Sequence, residues 1–194
     1  MKAPLLSIFF LFFSLISSAQ VQINADAYRI QYSEDYEQPL RVEYTVKCQH
    51  STQRTYSRTG LDFYTVPGIH TSDSKDYEQN EWDKGHMAPA ADFNCDSLLL
   101  RQTFSYINCA LQHKDLNRGP WKELEAYEKE LASKSMVTVL IELDFTGSKR
   151  GNHGAMIPTG FKKTISLNGK LYQSYYFKNE KPTLKWQQYL IKQY

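Results

Sequence analysis

Cysteine is scarce in this chain of 194 residues, with three in all, at positions 48, 95 and 109. None falls in a C-x-x-C pair or at a Cys/His spacing that would hold zinc, so the pattern argues against a structural zinc site. Net charge is also nearly absent, with 23 Lys and Arg against 21 Asp and Glu, formally +2. No overall field gathers a polyanion, so any anion site has to come from local clustering of charge. Beyond the N-terminus there is no apolar run long enough to cross a bilayer. Internal repeats, low-complexity tracts and linkers are missing as well, which leaves one compact unit as the expectation.

The one long hydrophobic run opens the chain. In "MKAPLLSIFFLFFSLISSA", Lys2 supplies a positive start, Leu5 to Ile16 an apolar stretch, and Ser17-Ser18-Ala19 a small-residue cleavage site. That pattern predicts a signal peptide over residues 1–19 and a single domain over 20–194. Removing 19 residues from 194 leaves 175, enough for one domain with a proper core. No cysteine follows the cleavage site to carry a lipid. The mature chain is therefore expected to be exported, soluble and off the membrane, either secreted or periplasmic. In an oxidising compartment one cysteine pair could be bridged with one thiol left over, and Cys48, Cys95 and Cys109 leave three pairings open.

Periodicity gives an α+β class, an antiparallel β-sheet core flanked by helices. "LRVEYTV" (40–46) alternates as a half-buried strand, and 47–82 is polar and rich in turn residues, a long irregular passage. Asp96 can cap a short helix over 97–104, and 105–112 reads as a strand. The clearest helix follows Pro120, with Trp121, Leu124 and Leu131 on one face. Residues 135–143 form a buried strand by β-branched content, and Asn168-Gly169 marks a type I′ hairpin within 163–177. The tail, 184–194, suits a short amphipathic helix.

The chemistry concentrates in "EWDKGHMAPAADFNC" (81–95), where Asp83, Lys84, Gly85 and His86 stand side by side. Glycine before histidine lets the backbone turn sharply or approach a ligand closely, and histidine titrates nearest neutral pH. Then come "YINCALQ" (106–112) and "LNRGPWKELE" (116–125). In this order "DKGHMAPAAD", "YINCALQ" and "LNRGPWKELE" resemble the DNA/RNA non-specific endonucleases of the ββα-metal, or His-Me finger, superfamily. Their pattern runs D-R-G-H-x-A-P-A-A-D, a strand with Asn and Gln, then L-N-x-G-x-W-x-x-L-E. A fainter likeness reaches "IPTGFKKTI" (157–165).

That resemblance implies a ββα-metal finger and a role for each matching residue. His86 would be the general base that takes a proton from the attacking water. Asn117 would be the protein ligand of one divalent cation, Mg²⁺ first, with Mn²⁺ or Ca²⁺ as alternatives, because a neutral amide oxygen suits a hard ion that keeps most of its waters. Glu125, two turns along the helix, would hold a metal-bound water. Lys84 stands where the family has Arg, retaining the charge but not the fork that grips phosphate bidentately. Asp83 would orient the loop or a neighbouring base. Arg58, with Arg54 as alternative, and Lys129 would bind substrate phosphates, while Asn108 and Gln112 would support the site. The implied partners are DNA and RNA.

Blander roles compete for several of these residues. Asn117 could merely cap its helix, and Glu125 could be a solvated helix residue. His50, His70 and His153 lack ligand spacing, and His113 reads as a surface residue near Asn117. Tyrosine-rich segments such as "YQSYYF" could stack bases or form cross-strand pairs, and "GSKRGNH" reads as a solvated loop. A non-catalytic nucleic-acid-binding or adhesion protein on the same scaffold is the alternative function.

Overall fold

The computed structural model describes residues 20–48 and 55–194. In chain order the elements are β1 (Gln20–Asn24), β2 (Arg29–Ser33), β3 (Gln38–Thr45), β4 (Trp82–His86), α1 (Ser97–Thr103), β5 (Cys109–His113), α2 (Lys114–Leu116) and α3 (Lys122–Ala132). They continue with β6 (Val137–Asp144), β7 (Lys149–Arg150), β8 (Met156–Ile157), β9 (Gly160–Leu167), β10 (Lys170–Lys178) and β11 (Leu190–Gln193). The proposed leader, His50 and Arg54 lie outside the described residues.

A seven-stranded antiparallel sheet in the order β1-β2-β3-β6-β9-β10-β11 carries the molecule. Alternation places one row of each central strand in the core. Val137, Val139 and Ile141 of β6 are buried, opposite Tyr44 and Val42 of β3 and Ile165 of β9. Helix α3 lays Trp121 and Leu124 on this layer, with the indole edge-on to Phe161 and Phe177 at 5.4 and 5.6 Å. The hairpin turn is of the expected kind, with φ positive at both Asn168 (51°) and Gly169 (78°).

The tail is not a helix. Residues Trp186–Tyr189 make one 3₁₀ turn and β11 then pairs with the edge of β10. Stacking of Trp186 on Tyr127 and Tyr175, and of Tyr189 on Phe177, fixes the turn against the sheet, so tertiary packing overrides the local period. The segment expected as a strand over 105–112 divides into a 3₁₀ turn, Tyr106–Asn108, and β5. The strands β1 and β2 were not anticipated.

The long passage before β4 is irregular, as read, but it is anchored. Cys48 is bridged to Cys95, leaving Cys109 as a buried free thiol. Tyr64 pairs with the start of the 106–108 turn through Tyr64 N–H to Phe104 O and Tyr106 N–H to Tyr64 O, both 3.0 Å.

Strands β4 and β5 form a separate two-stranded ribbon, and the chain runs from β5 through α2 directly into the approach to α3. This is the strand–strand–helix unit that positions the site.

Candidate active site

The registers Asp83↔Gln112, Gly85↔Ala110 and His86↔Cys109 set the ribbon. Gly85 does not turn the chain; it lies within β4. A Cβ there would stand 2.5 Å from Gln112 Oε1 and 2.6 Å from Gln112 Cβ. The glycine makes room for a fully buried glutamine across the ribbon. Asn108, also fully buried, clamps the segment after His86. Its amide oxygen accepts from Ala88 N–H at 2.8 Å, and its nitrogen donates to the carbonyls of Ala88 and Thr103 at 2.9 Å each.

His86 ends β4 and its ring is held by two aromatic rings, Phe63 at 4.8 Å and Phe104 edge-on at 4.9 Å. Nε2 is shut in without a hydrogen bond, and the residue lines the adjoining cavity. Burial first, and the Arg58 charge second, bring its pKa down to about 4. The ring is therefore neutral, with a lone pair available, at physiological pH.

Asn117 lies where the helix begins. Gly119 alone in 117–121 departs from helical dihedrals (φ −106°, ψ −116°), so the chain enters the helix through an irregular turn that contains Pro120, and α3 runs regularly from Lys122. Asn117 does not cap by its side chain. Its Nδ2 donates to Asp83 Oδ2 at 2.9 Å, and Arg118 forks onto the same carboxylate through Nε and Nη2 at 2.8 and 2.6 Å. A carboxylate only accepts, so the amide nitrogen must face it, and the amide oxygen is turned away from Asp83 in a residue that lines the cavity. Burial works against ionising Asp83, but the hydrogen bonds from Arg118 and Asn117 outweigh it and hold its pKa below the ordinary carboxylate value.

A cavity of about 420 Å³ brings His86 and Asn117 together, with Glu125 on its helical wall. Burial, against the pull of Lys163, pushes Glu125 up to about 7. Arg58, Lys122 and Lys129 supply positive charge around the rim. This is the local clustering a near-neutral chain needs to attract phosphates. Lys129 Nζ also donates to Ala91 O at 3.0 Å.

Lys84 does not line this cavity. Its ammonium lies over Tyr106, Phe63 and Tyr77, at 5.4, 5.6 and 6.0 Å from the ring centres. His113 is not a surface residue: it is buried, and its Nδ1 accepts from Asp115 N–H at 3.2 Å at the start of α2.

Sequence reasoning passed over Arg118, Asp92, and the ring pair around His86. It also missed a buried ion pair beneath the site, Lys163 Nζ to Glu128 Oε1 at 3.0 Å, with Tyr44 Oη donating to Glu128 Oε2 at 2.8 Å. Arg118 and Asp92 were within the quoted motifs, adjacent to Asn117 and closing "MAPAAD", but nothing in their spacing set them apart.

Among the described residues no cluster of three or more His, Cys, Asp or Glu side chains is arranged to hold a metal. The oxygen-bearing side chains that line the cavity are instead the Asn117 amide and the carboxyls of Glu125 and Asp92, all hard donors. That set fits a cation which keeps most of its own water.

A sheet carrying a strand–strand–helix finger, with histidine and asparagine facing one cavity, is a ββα-metal fold. A family model described as DNA/RNA non-specific endonuclease matches residues 12–193, and the chain belongs to that family. It is 37% identical over 70 residues to the mitochondrial nuclease EXOG of Danio rerio, a match covering 36% of this chain and 20% of the relative. With mitochondrial endonuclease G of Caenorhabditis elegans it shares 27% identity over 139 residues, 60% of this chain and 45% of that one. These matches span less than half of either relative's length. A solved structure of the EndoG/EndoGI complex superposes with a TM-score of 0.75 at 23% identity, covering 88% of this chain and 80% of that one, a likeness of fold.

Proposed function

We propose that this chain is an exported endonuclease that hydrolyses phosphodiester bonds of DNA and RNA with one divalent cation and His86 as general base. The observation that carries the reading is that His86 and Asn117, the latter with its amide nitrogen held by Asp83, line one cavity together with the cationic side chains of Arg58, Lys122 and Lys129. His86 Nδ1 takes the proton of a water aimed at the phosphorus, and the depressed pKa keeps it unprotonated before the step. Asn117, with its amide fixed by Asp83, would hold the cation, and Glu125 would take a hydrogen bond from its water. Such a cation, Mg²⁺ first by the donor chemistry, would supply charge neutralisation for the reacting phosphate when bound. Arg58, Lys122 and Lys129 hold backbone phosphates, which carry no base identity, so cleavage is indifferent to sequence.

Export is supported by the N-terminal pattern and by the Cys48–Cys95 bridge, a bond suited to an oxidising compartment. The test is digestion of plasmid DNA and of RNA in Mg²⁺, with and without EDTA, by wild type and His86→Ala. Cleavage in Mg²⁺ that stops with EDTA and drops about 10²–10⁴-fold in the variant is expected. Equal turnover by the variant would remove the base assignment, and binding without nicking would favour a non-catalytic role. N-terminal sequencing of the protein recovered from periplasm and medium tests export, with Gln20 as the expected first residue.

A further inference from the structure

One carboxyl oxygen at the cavity, Oδ2 of Asp92, has no hydrogen bond among the described residues. Asp92, the last residue of "MAPAAD", is 1% exposed and ends the 3₁₀ turn Ala90–Asp92. Its backbone is fixed from three directions. Asp92 N–H donates to Pro89 O at 3.1 Å, and Asp92 O accepts from Lys47 N–H at 3.1 Å and Cys48 N–H at 3.0 Å. Cys48 is itself tied to Cys95, three residues further on. The backbone that carries the side chain is thus firmly mounted, yet among the described residues no donor reaches Oδ2. Oδ2 is sealed from solvent without a hydrogen bond, and Asp92 lines the same cavity as Asn117 and Glu125. Lys129, the nearby cation on α3, donates a hydrogen bond to Ala91 O instead.

A buried carboxyl costs free energy unless something donates to it. A fixed one at a cavity wall, with the helix carboxyl Glu125 also there, is arranged for a guest that brings donors and positive charge. A hydrated cation brings both. We propose that Asp92 is a positioning residue of the cation site, accepting a hydrogen bond from the ion's water on the wall facing Glu125. The inference rests on the metal-dependent reading above and extends it: the hydrated ion is steered by carboxyls from two separate elements, the turn and α3, and held directly by Asn117. The charge layer below agrees, because Lys163 is already paired with Glu128 and leaves Asp92 without a dedicated counter-ion.

The experiment is a Mn²⁺ titration followed by the electron paramagnetic resonance of the free ion, without nucleic acid, on wild type, Asp92→Asn and Asp92→Ala. Circular dichroism melts in EDTA are run alongside. Loss of an acceptor for a ligand's water weakens metal binding by roughly 10- to 100-fold. We expect that loss in Asp92→Ala and a smaller one in Asp92→Asn, which keeps an acceptor oxygen but no charge, with both variants folded. Affinities within twofold of wild type overturn the proposal. Failure of both variants to fold also overturns it, since Asp92 would then be a structural prop. If wild type itself binds no Mn²⁺, it is the metal-dependent reading that falls.

Discussion

Asn117 Nδ2 donates to Asp83 Oδ2 at 2.9 Å, joining the helix entrance to strand β4. The bond has a directional consequence. Because the carboxylate can only accept, it selects one of the two flips of the amide and turns the oxygen away from Asp83. We therefore expect Asp83→Ala to raise the Mg²⁺ concentration for half-maximal cleavage by about tenfold or more while KM for DNA changes little. Asp83→Asn can donate as well as accept, so it leaves both flips allowed and falls between. A Mg²⁺ titration of cleavage unchanged in Asp83→Ala would mean the amide is oriented by something else.

His86 and Glu125 titrate in opposite senses, and their effects on stability oppose. His86 has its pKa lowered from 6.5 to about 4, so the unfolded chain binds the extra proton in that window and stability falls as pH drops through it. Glu125 is raised from 4.5 to about 7, so the folded protein holds the extra proton and stability falls as pH rises through that window. The windows overlap, and wild type shows little net slope from the two together. Relative to wild type, Glu125→Gln should gain stability with rising pH between about 4.5 and 7. His86→Ala should gain it with falling pH between about 4 and 6.5. Each slope is bounded at about 1.4 kcal/mol per pH unit for one proton. Urea melts in EDTA across pH 4–8 measure both, and parallel profiles for all three proteins would refute the assignment.

Gly85 supplies a sharper test of the ribbon. A methyl group at this position meets Gln112 Oε1 and Cβ within 2.6 Å, so Gly85→Ala forces the ribbon apart unless the glutamine is shortened. Overpacking of this kind costs about 1–3 kcal/mol. The double variant Gly85→Ala/Gln112→Ala should recover part of that loss, by denaturant unfolding, and recover activity with it. Additive losses would show that the two side chains do not compete for the same space.

Much of the site could be read in the sequence, because its chemistry is local. His86 is one residue after Gly85, Asn117 three before Pro120, and Glu125 within an obvious helix. The hairpin at Asn168-Gly169 was legible for the same reason, since two residues set the turn. What escaped depends on distance. Phe63 clasps His86 from a loop with no periodicity, and Arg118 reads as an ordinary helix-start cation until Asp83 is seen opposite it. The tail follows local pattern into a helix on paper, but the open edge of β10 offers it more. The need for glycine at position 85 was not legible in this form, because only the cross-strand register reveals Gln112 as the neighbour that needs the space.

Glu128 sits on the apolar face of α3, fully buried between Leu124 and the end of the helix, where a 3.6-residue pattern calls for an aliphatic side chain. It is kept there by Lys163 of β9 at 3.0 Å and the Tyr44 hydroxyl at 2.8 Å, and Lys163 in turn lies 4.1 Å from the Trp121 ring centre. These contacts fasten α3, which carries Glu125 and Lys129, to the central sheet. Removing one charge leaves the other buried and unpaired, at a cost of about 3–5 kcal/mol, whereas replacing both by apolar groups of similar size is often neutral. Lys163→Met should therefore destabilise strongly by chemical denaturation, and Glu128→Leu comparably. Lys163→Met/Glu128→Leu should regain most of the loss. If the double variant is stable yet its cleavage rate stays depressed, the pair acts on the site's electrostatics as well as on the anchoring of α3. If rate and stability return together, anchoring is its whole role.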